Sequence, residues 1–176
     1  MRLMITGPQG CGKTTQAKLL AEKLSIGFIG AGDLLRERAE KNDPVGRALE
    51  ADMERGELVD DGVIAELVKK EIEQEITKRG FVTDGYPRSL LQLKYFDPDY
   101  NKVFYLKISD QTAIDRLLNR GREDDTLEGI KHRLSWYHQQ TQPVLDYYNK
   151  DGKLVVIDGE QPIELVAKAI EDYLRS

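Results

Sequence analysis

The sequence predicts an α/β fold, a doubly wound five-stranded parallel sheet with helices on both faces, and two observations support this. Short apolar segments alternate along the chain with segments in which apolar residues recur at helical spacing. Strands that alternate with helices are joined by right-handed crossovers, and they therefore lie parallel in one sheet. A glycine-rich segment, residues 7–14, directly follows the first apolar run and opens the first helical segment. Such a loop between a strand and a helix is typical of phosphate binding.

Each predicted strand is a short apolar run, and the runs cover residues 3–6, 27–30, 81–83, 103–108 and 154–157. Helical periodicity predicts helices over residues 14–24, 62–78, 110–119, 127–148 and 163–174. The aromatic residues near the middle and end of the fourth of these helices are expected mostly in the core: Trp136, Tyr137, Tyr147 and Tyr148. Ligands of doubly wound sheets bind at the carboxyl ends of the strands, so we expect the functional site beside residues 7–14.

With 176 residues the chain is long enough for a single domain with a substantial core. A long, mostly helical excursion follows the second predicted strand, and its first part, residues 30–59, is expected to form a small lobe beside the site. A short polar connector, residues 119–126, joins two predicted helices. The rest of the chain forms the predicted core of the domain: residues 1–29, 60–118 and 127–176.

The composition excludes several classes of protein. A formal net charge of −5 and an isoelectric point near 5.2 argue against a nucleic-acid-binding protein. Cys11 is the only cysteine, which excludes an internal disulfide and a cysteine-rich zinc site. No apolar run approaches the roughly 18 residues of a membrane span, and the first predicted strand begins too early to leave room for a signal peptide. We therefore expect a cytoplasmic protein without membrane or nucleic-acid partners, a monomer by default, with a homo-oligomer as the alternative.

Residues 7–14, the P-loop, fit the pattern GxxxxGK(S/T). Its glycines allow the tight turns that bring backbone N–H groups onto phosphate oxygens, and they are Gly7, Gly10 and Gly12. Lys13 supplies a mobile positive charge for the β- and γ-phosphates, and a hydroxyl at Thr14 or Thr15 can reach Mg²⁺. We interpret Cys11 as a small loop residue rather than a redox switch. The P-loop therefore predicts a nucleoside triphosphate site.

A second group of polar residues follows the third predicted strand. Asp84 is suited to hold Mg²⁺, mostly through water, and Gly85 allows a ligand to approach the backbone closely. Arg88 can donate two hydrogen bonds to a phosphate, and Arg36, after the second strand, can also bind an anion. The competing interpretation for both arginines is an ordinary solvated position.

Further arginines cluster late in the chain: Arg116, Arg120, Arg122 and Arg133. Asp124 and Asp125 lie among them, so a salt-bridged, solvated surface is one interpretation. Two phosphorylated substrates that meet end to end repel each other by several kcal/mol per charge pair, and a phosphoryl-transfer site offsets this with arginine, lysine and Mg²⁺. Two anionic substrates explain this many arginines better than one.

Taken together, the motifs resemble the adenylate kinase branch of the nucleoside monophosphate kinases. The resemblance runs through nearly the whole chain and rests on these segments: 7–17, 32–36, 56–59, 84–88 with Gln92, 116–122, 124–125, 133–134, 137–148 and 158–159. It implies reversible transfer of the γ-phosphoryl group of Mg-ATP to AMP, giving two ADP. It also implies Mg²⁺ as the cofactor, and no zinc.

The resemblance also assigns roles by position. The residues it implies for ATP are Gly10, Cys11, Gly12, Lys13, Thr14, Thr15, Arg116, Arg120, Gly159 and Gln161. Those implied for AMP are Ala31, Arg36, Met53, Glu57, Val59, Gly85, Arg88, Gln92, Arg122 and Arg133. The implied catalytic set is Lys13, Asp84, Arg88, Arg120, Arg122 and Arg133. Thr14 or Thr15, together with Asp84, would hold Mg²⁺, partly through water.

Several positions depart from the family pattern. Gln9 stands where the family usually has proline, and Thr14 where it usually has glycine. Ala31 replaces the usual threonine and resembles the UMP/CMP kinase branch, whereas Gln92 points to AMP. A UMP/CMP or broad-specificity kinase therefore stays an alternative. An ATP-operated switch is a further alternative, although a switch does not need an arginine pair and a glutamine arranged for a second nucleotide.

The connector at residues 119–126 is shorter than the lids of the family. A mobile lid excludes water and delivers arginines when it closes. We therefore expect the lobe at residues 30–59 to dominate closure. Water shielding is expected to be poorer, or to come from a neighbouring subunit, so that ATP is hydrolysed measurably without an acceptor.

Overall fold

The computed structural model of the chain describes residues 1–41, 43–54, 60–74, 78–121 and 125–175. Five strands form one parallel sheet in the order β2-β3-β1-β4-β5. They are β1 (Arg2–Thr6), β2 (Gly27–Gly30), β3 (Phe81–Asp84), β4 (Lys102–Lys107) and β5 (Leu154–Asp158). All five lie where the sequence predicts a strand, with ends that differ by one residue at most. The predicted fold class is therefore confirmed.

The helices pack on both sides of this sheet. They are α1 (Lys13–Leu24), α2 (Ala31–Ala39), α3 (Pro44–Glu54), α4 (Asp61–Ile72), α5 (Leu90–Tyr95), α6 (Asp110–Arg120), α7 (Leu127–Trp136), α8 (Gln142–Lys150) and α9 (Ile163–Arg175). A π-helical turn, Tyr137–Thr141, joins α7 to α8.

Three helices differ from the sequence prediction. The helix predicted for residues 62–78 ends at Ile72, and the short helix α5 was not predicted. The helix predicted for 127–148 is α7 and α8 with the π-helical turn between them. That turn adds one residue to a helical turn and rotates all residues after it relative to those before it.

Side chains fix the starts of several helices. Asp60 accepts hydrogen bonds from the backbone N–H groups of Gly62 and Val63 at the start of α4. Ser89, Ser109 and Thr126 begin α5, α6 and α7 in the same way, each accepting from a backbone N–H three residues later. Such caps satisfy N–H groups that have no partner within the helix.

The hydrophobic core has two layers because the central strand β1 alternates its side chains between the two faces of the sheet. Leu3 and Ile5 pack into one cluster, with residues of α1, α6, α7 and α9. Met4 packs into the other, with residues of α4 and α8. In the sheet Ile5 pairs with Asp84 of β3. The carboxyl ends of β1 and β3 therefore lie side by side, and the P-loop begins directly beside Asp84.

Within the described ranges, none of the helices combines the length and the apolar character that crossing a bilayer requires.

Candidate active site

A cleft of about 720 Å³ opens at the carboxyl edge of the sheet. The P-loop forms its floor, and the segments that follow β2 and β3 form one wall. Residues of α6, α7 and the π-helical turn form the opposite wall. This is the edge at which ligands of doubly wound sheets bind, as the sequence predicts.

The P-loop needs glycine where its backbone is left-handed. Gly10 and Gly12 have φ values of +83° and +89°. A Cβ atom at Gly10 would lie 3.1 Å from the carbonyl oxygen of Ala113 in α6, so the loop packs closely on that helix. Gly12 begins α1, and no side chain caps the helix there. The N-terminus of α1 therefore offers its first N–H groups and its positive dipole end to an anion in the cleft.

The P-loop lysine is held only loosely. Lys13 lines the cleft, and its Nζ donates to the carbonyl oxygen of Pro8 at 3.3 Å, within the loop itself. A neutral carbonyl is a weaker partner for an ammonium group than a phosphate oxygen. A bound triphosphate can therefore draw Nζ away from this carbonyl.

Cys11 belongs to the P-loop but does not line the cleft, because it packs into the hydrophobic cluster with residues of α1 and α6. Its side chain is 3% exposed, and burial raises the pKa of the thiol, against the opposing charge of Lys13. A buried thiol that stays protonated is a poor nucleophile. This supports the interpretation of Cys11 as a small packing residue.

We expect Cys11 in the native protein to react with a thiol reagent such as dithionitrobenzoate at least about a hundredfold more slowly than in urea, because only the exposed thiolate reacts. Absorbance at the wavelength of the released thiolate measures both rates. Labelling of the native protein at the unfolded rate would contradict the buried position.

The carboxylate of Asp84 stands where β3 meets the P-loop. Thr14 Oγ1 donates to Asp84 Oδ2, and Asp84 Oδ1 is buried without a hydrogen-bond partner among the described residues. An unpaired buried carboxylate oxygen beside a phosphate-binding loop fits a hydrated Mg²⁺ ion, which prefers oxygen ligands and keeps several waters. No group of three or more His, Cys, Asp or Glu side chains within the described ranges is arranged to hold a metal. An ion here would be held by Asp84, water and phosphate.

Arg88 is built into the wall that follows β3. Its Nε donates to the carbonyl oxygen of Gly85 at 3.0 Å, and its backbone N–H donates to Gln92 Oε1 at 2.7 Å. Thr141 Oγ1, from the π-helical turn, donates to the carbonyl oxygen of Arg88 at 3.0 Å. Burial lowers the pKa of the guanidinium, which Asp84 opposes and Arg36 reinforces. An arginine fixed from three sides at the edge of a cleft is suited to bind an anion.

Gly85 is required beside this arginine. It has a φ of +80°, and a Cβ atom there would lie 2.9 Å from Nη2 of Arg88. Any other residue would strain the backbone and displace the guanidinium. Arg36, on α2 in the same wall of the cleft, is more exposed and pairs with Asp33 one turn earlier. It is therefore free to turn towards a ligand at low cost, since exposed pairs of this kind contribute little.

Two arginines of the opposite wall share one buried carboxylate. Asp125 accepts two hydrogen bonds from Arg120, from Nε and Nη2 at 2.8 Å each, and one from Arg133 Nη2 at 2.7 Å. Its side chain is fully buried. These hydrogen bonds, that of Arg120 most, lower the pKa of Asp125 to about 2, although burial opposes them. Asp125 therefore stays ionised and holds both guanidinium groups at the cleft.

Arg116 of α6 links its helix to the P-loop and to the segment that follows β5. Its Nη1 donates to the carbonyl oxygen of Gly159 at 3.0 Å, and at 3.4 Å to that of Gly10. Gln161 does not line the cleft and instead donates from Nε2 to Asp158 at 2.9 Å. Gly159 also lies behind the cleft surface, against β4.

Most of the residues that the sequence singles out meet at this cleft. Those that line it are Gly10, Gly12, Lys13, Thr14, Thr15, Ala31, Arg36, Asp84, Gly85, Arg88, Gln92, Arg116, Arg120 and Arg133. Those that do not line it are Cys11, Gly159 and Gln161. The predicted residues outside the described part of the chain are Glu57, Val59, Arg122, Asp124 and the side chain of Met53.

Sequence reasoning missed part of the cleft. Trp136, Tyr137, Gln140 and Thr141 line it, together with Lys18 of α1. The prediction of a core position was wrong for Trp136, which is half-buried and lines the cleft, and for Tyr147, which is 41% exposed, but right for Tyr137 and Tyr148. One signal was present: Arg133, Trp136 and Gln140 follow one another at helical spacing and share a helix face.

Comparison with known proteins agrees with this geometry. The sequence profile of the family described as adenylate kinase matches residues 5–153. The adenylate kinase of Trichodesmium erythraeum is 37% identical, over 97% of this chain and 96% of the relative. That of Prochlorococcus marinus is 39% identical, over 98% and 96%. Adenylate kinase 1 of a Nostoc species is 38% identical, over 99% of both chains. The chain therefore belongs to the adenylate kinase family and is an enzyme of the phosphotransferase class.

Proposed function

We propose that the chain transfers the γ-phosphoryl group of Mg-ATP reversibly to AMP, giving two ADP. The observation that carries this proposal is one continuous cleft, lined on its floor by the P-loop and on its wall by a built-in arginine, Arg88. Two anion-binding sites in one cleft fit a donor and an acceptor phosphate. The family comparisons favour AMP over the UMP/CMP alternative, which Ala31 alone suggested.

On the donor side, the P-loop backbone and the N-terminus of α1 bind the triphosphate, with Lys13 on the β- and γ-phosphates. Asp84 and the hydroxyl of Thr14 or Thr15 would hold Mg²⁺, partly through water. The ion would neutralise charge on the phosphates. The loop amides of residues 10–12 complete the donor site, with Arg116 against the ATP base, whereas Gly159 and Gln161 lie outside the cleft lining.

On the acceptor side, Arg88 and Arg36 bind the phosphate of AMP, and Gln92 reads the base. Gln92 is 3% exposed, and its Oε1 already accepts from the backbone of Arg88. Its Nε2 is then the atom that would donate a hydrogen bond to the base. Ala31, Gly85 and the lobe at residues 30–59, with Met53, Glu57 and Val59, complete the acceptor site. The hydrogen bond between the backbone N–H of Arg88 and Gln92 Oε1 would align the phosphate and the base of one nucleotide.

Transfer proceeds by in-line displacement, in which an oxygen of AMP attacks the γ-phosphorus and the bond to ADP breaks. No covalent nucleophile is needed, since positioning and electrostatic stabilisation supply the catalysis. Arg120, Arg122 and Arg133 stabilise the charge on the transferring group, and Asp125 holds two of them ready. The enzyme would act in the cytoplasm, as a single domain with the lobe at residues 30–59 and the connector at 119–126.

The first test is chromatography of products after Mg-ATP is incubated with AMP, CMP, UMP or GMP in parallel. We expect ADP to form with AMP at a rate at least about tenfold above the rate with the other three. Comparable turnover of CMP or UMP would instead support the pyrimidine-specific alternative. Absence of acceptor-dependent turnover with all four would overturn the proposed function.

Replacing Arg88 with alanine is expected to raise KM for AMP at least about thirtyfold, with a much smaller change in KM for ATP. The reason is that a charge-assisted, bidentate contact to a phosphate contributes about 2 kcal/mol or more. Initial rates at varied AMP and at varied ATP separate the two constants. Arg175→Ala, at the exposed end of α9, is the matched control. Unchanged AMP kinetics in Arg88→Ala would show that the acceptor phosphate binds elsewhere.

A further inference from the structure

Trp136 is the only tryptophan of the chain, and its position is unusual for so large an apolar side chain. It lines the cleft, is half-buried there, and belongs to neither of the two hydrophobic clusters. The other large apolar side chains at the cleft, Leu35, Ile64 and Leu117, all pack into or against one of the clusters. Scattered apolar residues on a surface need no explanation, but an indole that lines a nucleotide-sized cleft is available for contact there.

The indole is also held in a fixed orientation. Its Nε1 donates to Nε2 of His132, one turn earlier on α7, at 3.1 Å. The two rings lie nearly perpendicular, with an interplanar angle of 80°. The polar atom of the indole is thus satisfied by its own helix. What remains for the cleft is the apolar part of the ring, which can exclude water but does not offer a hydrogen bond.

The position of Trp136 lies between the two halves of the proposed site. It lies one helical turn after Arg133. Arg133 and Arg120 both pair with Asp125. Trp136 directly precedes the π-helical turn, whose Thr141 holds the carbonyl oxygen of Arg88. The indole therefore stands beside the stretch of cleft where the γ-phosphate of ATP would meet the phosphate of AMP.

Little chain is present on this side to cover that stretch. Helix α6 ends at Arg120 and α7 begins at Leu127, so only residues 121–126 connect them. The buried ion pairs of Asp125 fix the end of this connector to both helices. A long mobile cover, which other phosphotransferases use against water, does not fit into so few residues.

We propose that the indole of Trp136 excludes water from the phosphoryl-transfer region when both nucleotides are bound. This inference rests on the proposed function. The reaction it suppresses is hydrolysis, in which a water oxygen bonds to the γ-phosphorus and the bond from that phosphorus to the leaving oxygen of ADP breaks. The products are ADP and inorganic phosphate, and the proton of the water passes to solvent. Removing the indole admits this water without removing any group that binds phosphate.

The first test uses Trp136 as its own reporter, because no other tryptophan contributes to the emission. Quenching by acrylamide is measured for the wild-type protein alone, with a non-hydrolysable Mg-ATP analogue, with AMP, and with both. We expect the quenching constant to fall at least about twofold, with a blue shift, when both nucleotides are bound. An unchanged quenching constant in the complex with both nucleotides would overturn the inference.

The second test compares Trp136→Ala with Trp136→Phe. Inorganic phosphate and transferred phosphoryl are measured together under Mg-ATP and AMP, and their ratio is the readout. We expect the ratio to rise about tenfold in Trp136→Ala and to stay within about twofold of wild type in Trp136→Phe, which keeps an apolar ring. Tyr147→Ala removes an exposed aromatic ring from α8 outside the cleft and should leave the ratio unchanged.

The two tests separate the possible failures. A thermal melt of each variant shows whether it is folded, and a ratio of rates is insensitive to a partly inactive preparation. A wild-type ratio in folded Trp136→Ala would overturn the inference while the proposed function stands. Absence of AMP-dependent turnover in the wild-type protein would overturn the proposed function itself, and the inference with it.

Discussion

Lys13→Ala is expected to lower kcat at least about a thousandfold, the largest effect of any single substitution in the cleft. Lys13 is the only lysine of the P-loop, and its Nζ donates to the carbonyl oxygen of Pro8, which a bound phosphate can replace. Without Lys13, the charge that builds up between the β- and γ-phosphates is left without its nearest counter-charge. Removing one preorganised hydrogen-bond donor typically lowers kcat by about 10²–10³. Removing a lysine, whose full positive charge acts on the transferring group, lowers it further.

Lys18→Ala is the matched control for this variant. Lys18 belongs to the same helix and lines the same cleft, but its Nζ lies 5.4 Å from the centre of the Phe28 ring. We expect its kcat to stay within about threefold of wild type, since the charge lies away from the loop. Steady-state rates of ADP formation measure both variants. A Lys13→Ala enzyme with more than about a tenth of wild-type kcat would refute the donor site proposed for the P-loop.

Asp125→Asn is expected to have the second largest effect, on stability and on activity together. The substitution removes the buried charge that Arg120 and Arg133 share. Breaking a fully buried pair costs about 3–5 kcal/mol, and here we expect about 2 kcal/mol because Arg120 is 36% exposed. With both guanidinium groups released from their partner, kcat should fall about a hundredfold. Urea unfolding and steady-state kinetics measure the two effects.

The pH dependence gives an independent check on Asp125. Its pKa is lowered from 3.8 to about 2 in the folded protein, so the unfolded chain binds a proton at higher pH than the folded one. The stabilisation is therefore complete above about pH 4 and is lost as the pH falls from about 4 towards 2. Acid unfolding followed by circular dichroism should show this loss in the wild type and a smaller loss in Asp125→Asn. Parallel acid-unfolding curves that differ only by a constant would contradict the assigned ion pairs.

The sheet and the P-loop could be predicted because their signals are local. Each strand is a continuous apolar run, and the spacing of Gly7, Gly10 and Gly12 before Lys13 is set by the geometry of the loop alone. The approach of Asp84 to the loop also followed, since neighbouring parallel strands end at the same edge.

What could not be predicted depends on packing. Helix α5 is only six residues long and has little periodicity to detect, although Ser89 and Gln92 have the spacing of a capping box. The prediction of a core position for Trp136 was wrong because it grouped this residue with the apolar residues of its helix, whereas at helical spacing Trp136 does not share a face with the buried Ile130 and Leu134. The π-helical turn that follows changes the register, and the sequence carries no signal for it. The buried pairing of Asp125 with two arginines likewise requires α6 and α7 to be docked together.

The π-helical turn, Tyr137–Thr141, also limits how this chain can vary in length. Deleting one residue from a surface loop is usually harmless, but deleting one here would restore a regular α-helix. Everything from Gln142 onward would then rotate by about 100° relative to α7. Val144 and Tyr148 would leave the core while Thr141 lost the carbonyl of Arg88. Stability and substrate binding therefore both depend on the number of residues in this turn. The segment should tolerate substitutions far better than insertions or deletions.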